Sequence, residues 1–170
     1  MGNVKILHIY WEKHRFDESI DDTEKLNGST HFGLYQVYGE HPVYGRDVLL
    51  YIGKTKGQTF AQRFKNKHDY DFIESMLKAK ELYIGRFYEF GDCNKGNWNE
   101  NIDIAEKILI KAHCPAYNAQ DIKYLLPKPE AEEIVIILNW GDYGDLLPEI
   151  SNIRISYIED EIDKKELMKQ

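Results

Sequence analysis

The chain of 170 residues has only two cysteines and no long hydrophobic run. Cys93 and Cys114 are not in CxxC spacing, so we expect reduced thiols in a cytoplasmic protein, with neither a zinc site nor a disulfide scaffold. No stretch approaches the roughly 18 apolar residues of a membrane helix, so we expect no membrane partner. The apolar start of the chain ends at the charged residues 12–15 without a small-residue cleavage site, which argues against a signal peptide.

An excess of positive charge is also lacking, since the formal net charge is -7. The acidic side chains are concentrated at one end, because residues 130–170 carry eleven acidic and four basic side chains and the rest of the chain is balanced. Residues 54–80 carry seven lysines or arginines and three acidic residues. A local basic surface of this kind can bind phosphates, although lysine-rich helix surfaces are also common without that role.

The hydrophobic patterns predict an α+β fold in a single domain over residues 1–170. Strands are predicted from β-branched and aromatic runs, and helices from apolar residues at helical spacing. The predicted strands are 4–11, 31–39, 48–54, 82–90, 132–140 and 151–158, and the predicted helices are 59–68, 69–80 and 102–113. The second and third strands form a hairpin with an extended turn over 40–47. Residues 12–30 are predicted to form a loop or a short helix, and residues 91–101 a loop.

Two charged residues lie on otherwise apolar helix stripes. Arg63 shares its stripe with Phe60 and Phe64, and Glu106 lies close to Ile102 and Leu109. A charge at such a position is costly unless it is paired or faces a site. Either Arg63 and Glu106 pair with each other, or both reach out to solvent, or both belong to a functional site.

Tyrosine is abundant, with 12 residues. Tyr35 and Tyr51 occupy similar places on the two arms of the predicted hairpin, so their side chains could share one face. This arrangement would suit a functional site or ordinary cross-strand aromatic packing. The string Tyr-Ile-Gly occurs twice, at 51–53 and again at 83–85. Only the first copy follows a Gly-Leu-Tyr strand and precedes a basic helix, so the second is interpreted as an ordinary strand.

These residues together resemble the signature of the GIY-YIG nuclease family. The first half is Gly33-Leu34-Tyr35, with leucine in place of isoleucine, and the second is Tyr51-Ile52-Gly53. Arg63 follows in the next helix, Glu106 in a later helix and Asn118 after that helix, in the order of the family. The resemblance covers about residues 31–120, which leaves an N-terminal extension (1–30) and a β-rich C-terminal extension with an acidic tail (121–170). It implies a small central antiparallel sheet, made of the hairpin and a third strand, flanked by helices and enlarged by the terminal strands.

The chain departs from the family pattern at two points. Residues 40–47 lengthen the link between the two halves of the signature. The family often has a histidine or tyrosine one helical turn after the arginine, whereas this chain has Lys67 there and His68 next to it. Either residue could serve in that role, and His68 is equally consistent with a solvated histidine at a helix end.

The resemblance implies a DNA endonuclease that hydrolyses phosphodiester bonds with one divalent metal ion, Mg²⁺ or Mn²⁺. Glu106 would be the only protein ligand of the metal, and Arg63 would hold the phosphate and stabilise its developing charge. The resemblance implies that Tyr35 is the general base and that Tyr51 orients water or phosphate. Nearby cations such as Lys54 and Arg63 would lower the pKa of the tyrosine and favour this role. Asn118 would be a positioning group.

The expected partner is double-stranded or branched DNA, and only the resemblance favours DNA over RNA. A single active site nicks one strand, so cutting both strands would need a homodimer or two encounters. The alternatives are a catalytically inactive nucleic-acid-binding module with the same fold and a protein-interaction module that uses the acidic C-terminal segment. The expected nucleic-acid contacts are Lys54, Lys56, Lys65 and Arg46.

Overall fold

The computed structural model describes residues 3–15, 33–65, 79–88, 98–118 and 133–154, and the coarse α+β prediction is confirmed. The described elements follow one another as strands β1, β2 and β3, helix α1, strand β4, helix α2, and strands β5 and β6. Their bounds are β1 Asn3–Arg15, β2 Leu34–His41, β3 Gly45–Lys54, α1 Phe60–Lys65, β4 Ala79–Tyr88, α2 Trp98–His113, β5 Glu133–Gly141 and β6 Glu149–Ser151. No helix in this part of the chain is long and apolar enough to cross a membrane.

The six strands form one mixed sheet in the order β3-β2-β4-β1-β5-β6. The hairpin β2–β3 and strand β4 pair antiparallel, as expected for the central sheet. Strand β1 continues the sheet antiparallel to β4 and pairs parallel with β5 on its other side. The parallel pair was not predicted, because it depends on how the chain returns to β1 after α2 and leaves no local pattern in the sequence.

Helices α1 and α2 pack on opposite faces of the sheet. Apolar residues of α2, among them Ile102, Ala105 and Leu109, form one core with residues of β1, β2, β3 and β5. Phe60 and Phe64 of α1 form a second core with residues of β2, β3 and β4. The predicted apolar stripes of both helices therefore face the sheet, and each one covers its own face.

Several element boundaries differ from the sequence prediction. Strand β1 includes the charged residues 12–15, which were not assigned to a strand, and Lys13 pairs with Glu81 of β4 at 2.8 Å.

Helix α2 begins at Trp98 rather than at residue 102, and the Trp98 ring packs edge-on against Phe87 of β4. Residues 79 and 80 belong to β4 and not to a helix. Contacts between neighbouring elements decide all three boundaries, and such contacts have no signature within a single segment.

The predicted strand 151–158 is wrong at its start. The strand β6 covers Glu149–Ser151, and residues 152–154 form a helical turn. Ser151 Oγ accepts a hydrogen bond from the Arg154 N–H (3.4 Å), as a helix-capping serine does, and Asn152 Oδ1 accepts one from the Val135 N–H (3.0 Å). Residues 155–158 lie outside the described part of the chain.

The turn of the hairpin is shorter than the predicted 40–47. It comprises only residues 42–44, since His41 pairs with Gly45 across the strands. His41 Nδ1 accepts hydrogen bonds from the N–H groups of Val43 and Tyr44, each at 3.2 Å. The His41 ring also stacks on Tyr44 and contacts Tyr117, which fastens the hairpin tip to the segment that follows α2.

The second Tyr-Ile-Gly string lies in the middle of the sheet. Gly85 pairs with Trp11 of β1, and a Cβ at Gly85 would come within 2.6 Å of the Trp11 ring. Trp11 is fully buried and donates a hydrogen bond from Nε1 to Asn139 Oδ1 at 2.9 Å. Gly85 is therefore explained by core packing, in agreement with the interpretation of this string as ordinary strand.

Candidate active site

The two tyrosines of the signature meet over Gly53, near the end of β3. Tyr35 pairs with Gly53 across the strands, and the ring centroids of Tyr35 and Tyr51 are 6.1 Å apart. The prediction that these side chains share one face is confirmed. A Cβ at Gly53 would come within 2.5 Å of the Tyr35 hydroxyl and 2.7 Å of Tyr51 Cε1, so only glycine leaves room for this tyrosine pair.

Helix α1 packs against Tyr35, on the face of the sheet that carries the tyrosine pair. Phe64 contacts Tyr35 edge to face at a centroid distance of 5.4 Å. The helix begins with a capping box, in which Thr59 Oγ1 accepts a hydrogen bond from the Gln62 N–H and Gln62 Oε1 accepts one from the Thr59 N–H. Arg63 is half-buried on this short helix, and its Nε is buried. The capped turn therefore places an arginine next to the residue that packs on Tyr35.

A cluster of four charged residues lies on the other face of β3, against α2. We call Lys54, Lys56, Asp103 and Glu106 the charge cluster. Lys54 Nζ lies 2.6 Å from Glu106 Oε2 and 2.9 Å from Asp103 Oδ1, and Lys56 Nζ also contacts Asp103. Asp103 and Glu106 are three residues apart on α2, so both carboxylates point to the same side of the helix.

The pKa shifts of Lys54 and Asp103 favour the ionised form of each group. Burial acts against the charged form of Lys54, but the hydrogen bonds with Glu106 and Asp103 outweigh burial and raise the pKa of the Lys54 ammonium. Burial also tends to raise the pKa of Asp103, yet the hydrogen bonds from Lys56 and Lys54 lower it below its ordinary value. Lys54, as an ammonium, therefore bridges two acidic side chains at neutral pH.

The tyrosine pair and the charge cluster are attached to consecutive residues of β3 but lie on opposite faces of the sheet. Successive side chains of a strand alternate between the two faces of the sheet, so Gly53 lies on the α1 face and Lys54 on the α2 face. Because β3 ends at Lys54, the two groups lie at one end of the sheet rather than in one cleft on one face.

Glu106 is suited to a hard divalent cation. Its side chain is 15% exposed, so it lies at the edge of the core and is not sealed within it. Carboxylate oxygens are the preferred protein ligands of Mg²⁺, which usually keeps several waters. Within the ranges that the structure describes, no three His, Cys, Asp or Glu side chains are grouped to hold a metal. The donor set therefore fits an ion held by one or two carboxylates and otherwise by water or phosphate.

Asn118 fastens the segment after α2 to the outer edge of β3. Its Oδ1 accepts a hydrogen bond from the Ile52 N–H at 2.8 Å, and its Nδ2 donates one to the Ile52 carbonyl oxygen at 2.9 Å. The Tyr117 N–H also donates to the Leu50 carbonyl at 2.9 Å. We call residues 116–118 the edge segment. The Asn118 side chain thus makes the two hydrogen bonds that a neighbouring strand would otherwise make with Ile52, the residue before Gly53.

Asn118→Ala should lower the free energy of unfolding by about 2–4 kcal/mol. The substitution leaves a buried N–H and a buried carbonyl of Ile52 without this amide, and each such loss costs about 1–3 kcal/mol. Urea denaturation followed by circular dichroism measures the change. Asn99→Ala is the matched control, because Asn99 is exposed in the first turn of α2, and it should change stability by less than about 0.5 kcal/mol. Equal effects of the two substitutions would contradict this role of Asn118.

The other predicted site residues are placed as follows. Arg46 is exposed near the hairpin tip, eight residues before Lys54 on the same strand, which corresponds to a distance of about 26 Å at 3.3 Å per residue. Lys65 is the last described residue of α1, and its side chain is not described. Lys67 and His68 lie outside the described residues. Arg46 and Lys54 are therefore too far apart to contact the same phosphate.

Asp103 is the site residue that the sequence analysis missed. It shares Lys54 with Glu106 and also binds Lys56. Its spacing of three residues from Glu106, within Asp103-Ile-Ala-Glu106, was a usable signal, because residues three apart are neighbours on a helix. No local pattern indicates which lysines the two carboxylates contact.

Comparisons of the chain with protein-family models, with curated proteins and with solved structures found no match.

Proposed function

We propose that this chain is a metal-dependent DNA endonuclease of the GIY-YIG type that hydrolyses phosphodiester bonds. The observation that carries the proposal is that the tyrosine pair and the charge cluster lie at the same end of β3, on opposite faces of the sheet at Gly53 and Lys54. Phosphodiester hydrolysis needs a group that directs water, a cation that stabilises the developing charge and help for the leaving oxygen. Groups that can serve these needs lie on β3, α1 and α2. They are phenol, ammonium, guanidinium and carboxylate groups.

The exposure of the two tyrosines suggests a division of roles. Tyr35 is only 2% exposed, whereas Tyr51 is half-buried. The resemblance alone implied that Tyr35 is the general base, but the more accessible Tyr51 is better placed to contact water or a substrate phosphate. In our proposal Tyr51 makes this contact, and Tyr35 fixes the Tyr51 ring over Gly53.

Arg63 and Glu106 supply the charged part of the proposed site. Arg63 would bind the phosphate from α1 and stabilise its additional negative charge. Glu106 would hold the divalent ion, which when bound supplies positive charge for the phosphate and the leaving oxygen. Lys54 and Lys56 would lie beside the phosphate backbone, and Arg46 would contact DNA several base pairs away.

The proposal is tested with supercoiled plasmid, a four-way DNA junction and a single-stranded RNA, each incubated with Mg²⁺, Mn²⁺ or a chelator. We expect nicked plasmid or a cut junction with metal and no product with chelator. Binding without cleavage of any substrate would overturn the proposal in favour of a non-catalytic nucleic-acid-binding module. The absence of both binding and cleavage would leave the protein-interaction module instead.

Tyr51→Phe should reduce the nicking rate by about 10²-fold, because it removes the hydroxyl proposed to direct water. Tyr83→Phe, in the second Tyr-Ile-Gly string, should leave the rate within about threefold. Tyr83 lies on the other face of the sheet, packs on Tyr38 at 4.9 Å between centroids and donates to Glu81 at 3.3 Å. Loss of the Tyr83 hydroxyl should lower the free energy of unfolding by at most about 1 kcal/mol. Initial nicking rates and urea denaturation of both variants measure the contrast, and equal rates would contradict it.

A further inference from the structure

The ammonium of Lys54 lies where a cation at Glu106 would have to bind. Its Nζ is 2.6 Å from Glu106 Oε2, closer than its 2.9 Å distance to Asp103 Oδ1. The charge cluster contains two acidic and two basic side chains and is balanced as it stands. Lys54 is 31% exposed and Glu106 15%, so the contact is only partly screened by water.

A divalent ion and the Lys54 ammonium cannot both stay on the Glu106 carboxylate without strong repulsion. Lys54 already contacts Asp103, one helical turn before Glu106 on the same face of α2. It can therefore leave Glu106 and keep a carboxylate partner with a small rotation of its side chain. Lys56 also contacts Asp103, but no contact joins it to Glu106 among the described ion pairs.

We propose that Lys54 is a built-in counter-cation that competes with the divalent metal for Glu106, and that Asp103 is the positioning residue that receives Lys54 when the metal binds. The exchange keeps Lys54 at the end of β3, against α2. It rests on the proposed function only in taking Glu106 as the metal ligand.

Metal affinity without DNA tests the competition directly. Isothermal titration of Mn²⁺ into the wild-type chain, Lys54→Met and Lys54→Gln should give at least about tenfold tighter binding in both variants, because a charge next to the metal is removed. Lys54→Arg keeps that charge and should bind as weakly as the wild type. Lys56→Met removes the same charge from Asp103 alone and should change affinity by less than about threefold.

Unchanged or weaker Mn²⁺ binding in both neutral Lys54 variants would overturn the competition. So would the absence of measurable binding in every variant, since Glu106 would then be no metal ligand. Circular dichroism and urea denaturation establish that each variant is folded. A purely structural role of Lys54 predicts loss of stability without tighter metal binding, so the two roles give different results.

The role of Asp103 is tested by a double-mutant cycle. Asp103→Asn should weaken Mn²⁺ binding in the wild-type background, because Lys54 then has only Glu106 of the two carboxylates. In the Lys54→Met background the same substitution should have a smaller effect. An equal loss in both backgrounds would show that Asp103 acts on the metal itself, and this would overturn its role as a positioning residue.

Nicking assays on the same variants separate this inference from the proposed function. Tighter Mn²⁺ binding in Lys54→Met, with no cleavage by the wild-type chain, would support the exchange and refute the endonuclease. Cleavage by the wild-type chain with unchanged metal affinity in Lys54→Met would support the endonuclease and refute the exchange.

Discussion

Glu106→Gln should reduce Mg²⁺-dependent nicking by roughly 10³-fold or more, with little change in the fold. Glutamine has nearly the same shape as glutamate but lacks the negative charge that a divalent ion needs at this position. Lys54 keeps its contact with Asp103, so the substitution does not leave the ammonium without a carboxylate. Single-turnover nicking of supercoiled plasmid over a range of Mg²⁺ concentrations measures the effect.

Glu100→Gln is the matched control for Glu106→Gln. Glu100 is an exposed residue in the first turn of the same helix, so its loss removes an equal charge away from the charge cluster. We expect its nicking rate to stay within about twofold of the wild type and its metal dependence to be unchanged. A Glu106→Gln variant that cuts as fast as Glu100→Gln would remove Glu106 from the mechanism and, with it, the proposed metal site.

Gly53→Ala should impair both stability and activity. A methyl group at this position would overlap the end of the Tyr35 ring and come within 2.7 Å of Tyr51. Tyr35 is buried against Phe64, so it cannot move aside freely. Overpacking of this kind costs about 2–3 kcal/mol, and displacement of the tyrosine pair should lower nicking by about 10²-fold. Urea denaturation and initial nicking rates measure the two effects.

Two further variants separate the overlap from a general effect of losing glycine. Gly45→Ala meets no atom within 4 Å, although its backbone φ is 94°, so it should cost only about 1 kcal/mol of strain and leave nicking unchanged. In a Tyr35→Leu background, where only the contact with Tyr51 remains, Gly53→Ala should cost less than it does in the wild-type chain. The same cost in both backgrounds would show that the Tyr35 ring does not explain Gly53.

The parts of the site that depend on local pattern could be predicted from the sequence. The alternation of a β-strand places Tyr35 and Tyr51 on one face, and helical spacing places Phe60 and Phe64 against the sheet. The contact between Glu106 and Lys54 could not be found from local patterns. Lys54 and Glu106 lie on different elements, and the contact depends on how α2 crosses β3. A pair between Glu106 and Arg63 was one of the options that the sequence left open, and it depends in the same way on how the helices lie against the sheet.

The same distinction applies to the fold. The hairpin and the strand β4 were predicted because each has a pattern of its own, and the antiparallel pairing of β2 with β3 follows from their short connection. The position of β1 between β4 and β5 was not predictable, since hydrophobic strands at the two ends of the chain show that they pack but not where they pack. Likewise, β6 ends early where the Asn152 side chain, in place of a strand backbone, accepts the hydrogen bond from the Val135 N–H.

The edge segment limits how two copies of this chain could cut both strands of a duplex. Its bonds to Leu50 and Ile52 occupy the outer side of β3, so a second sheet cannot join there without breaking them. Within the described residues, the opposite sheet edge, β6, offers only three residues. If the chain is the proposed endonuclease, two copies that make a double-strand break should therefore not be joined as one continuous sheet through β3, and the yield of linear plasmid should rise with the density of protein on DNA.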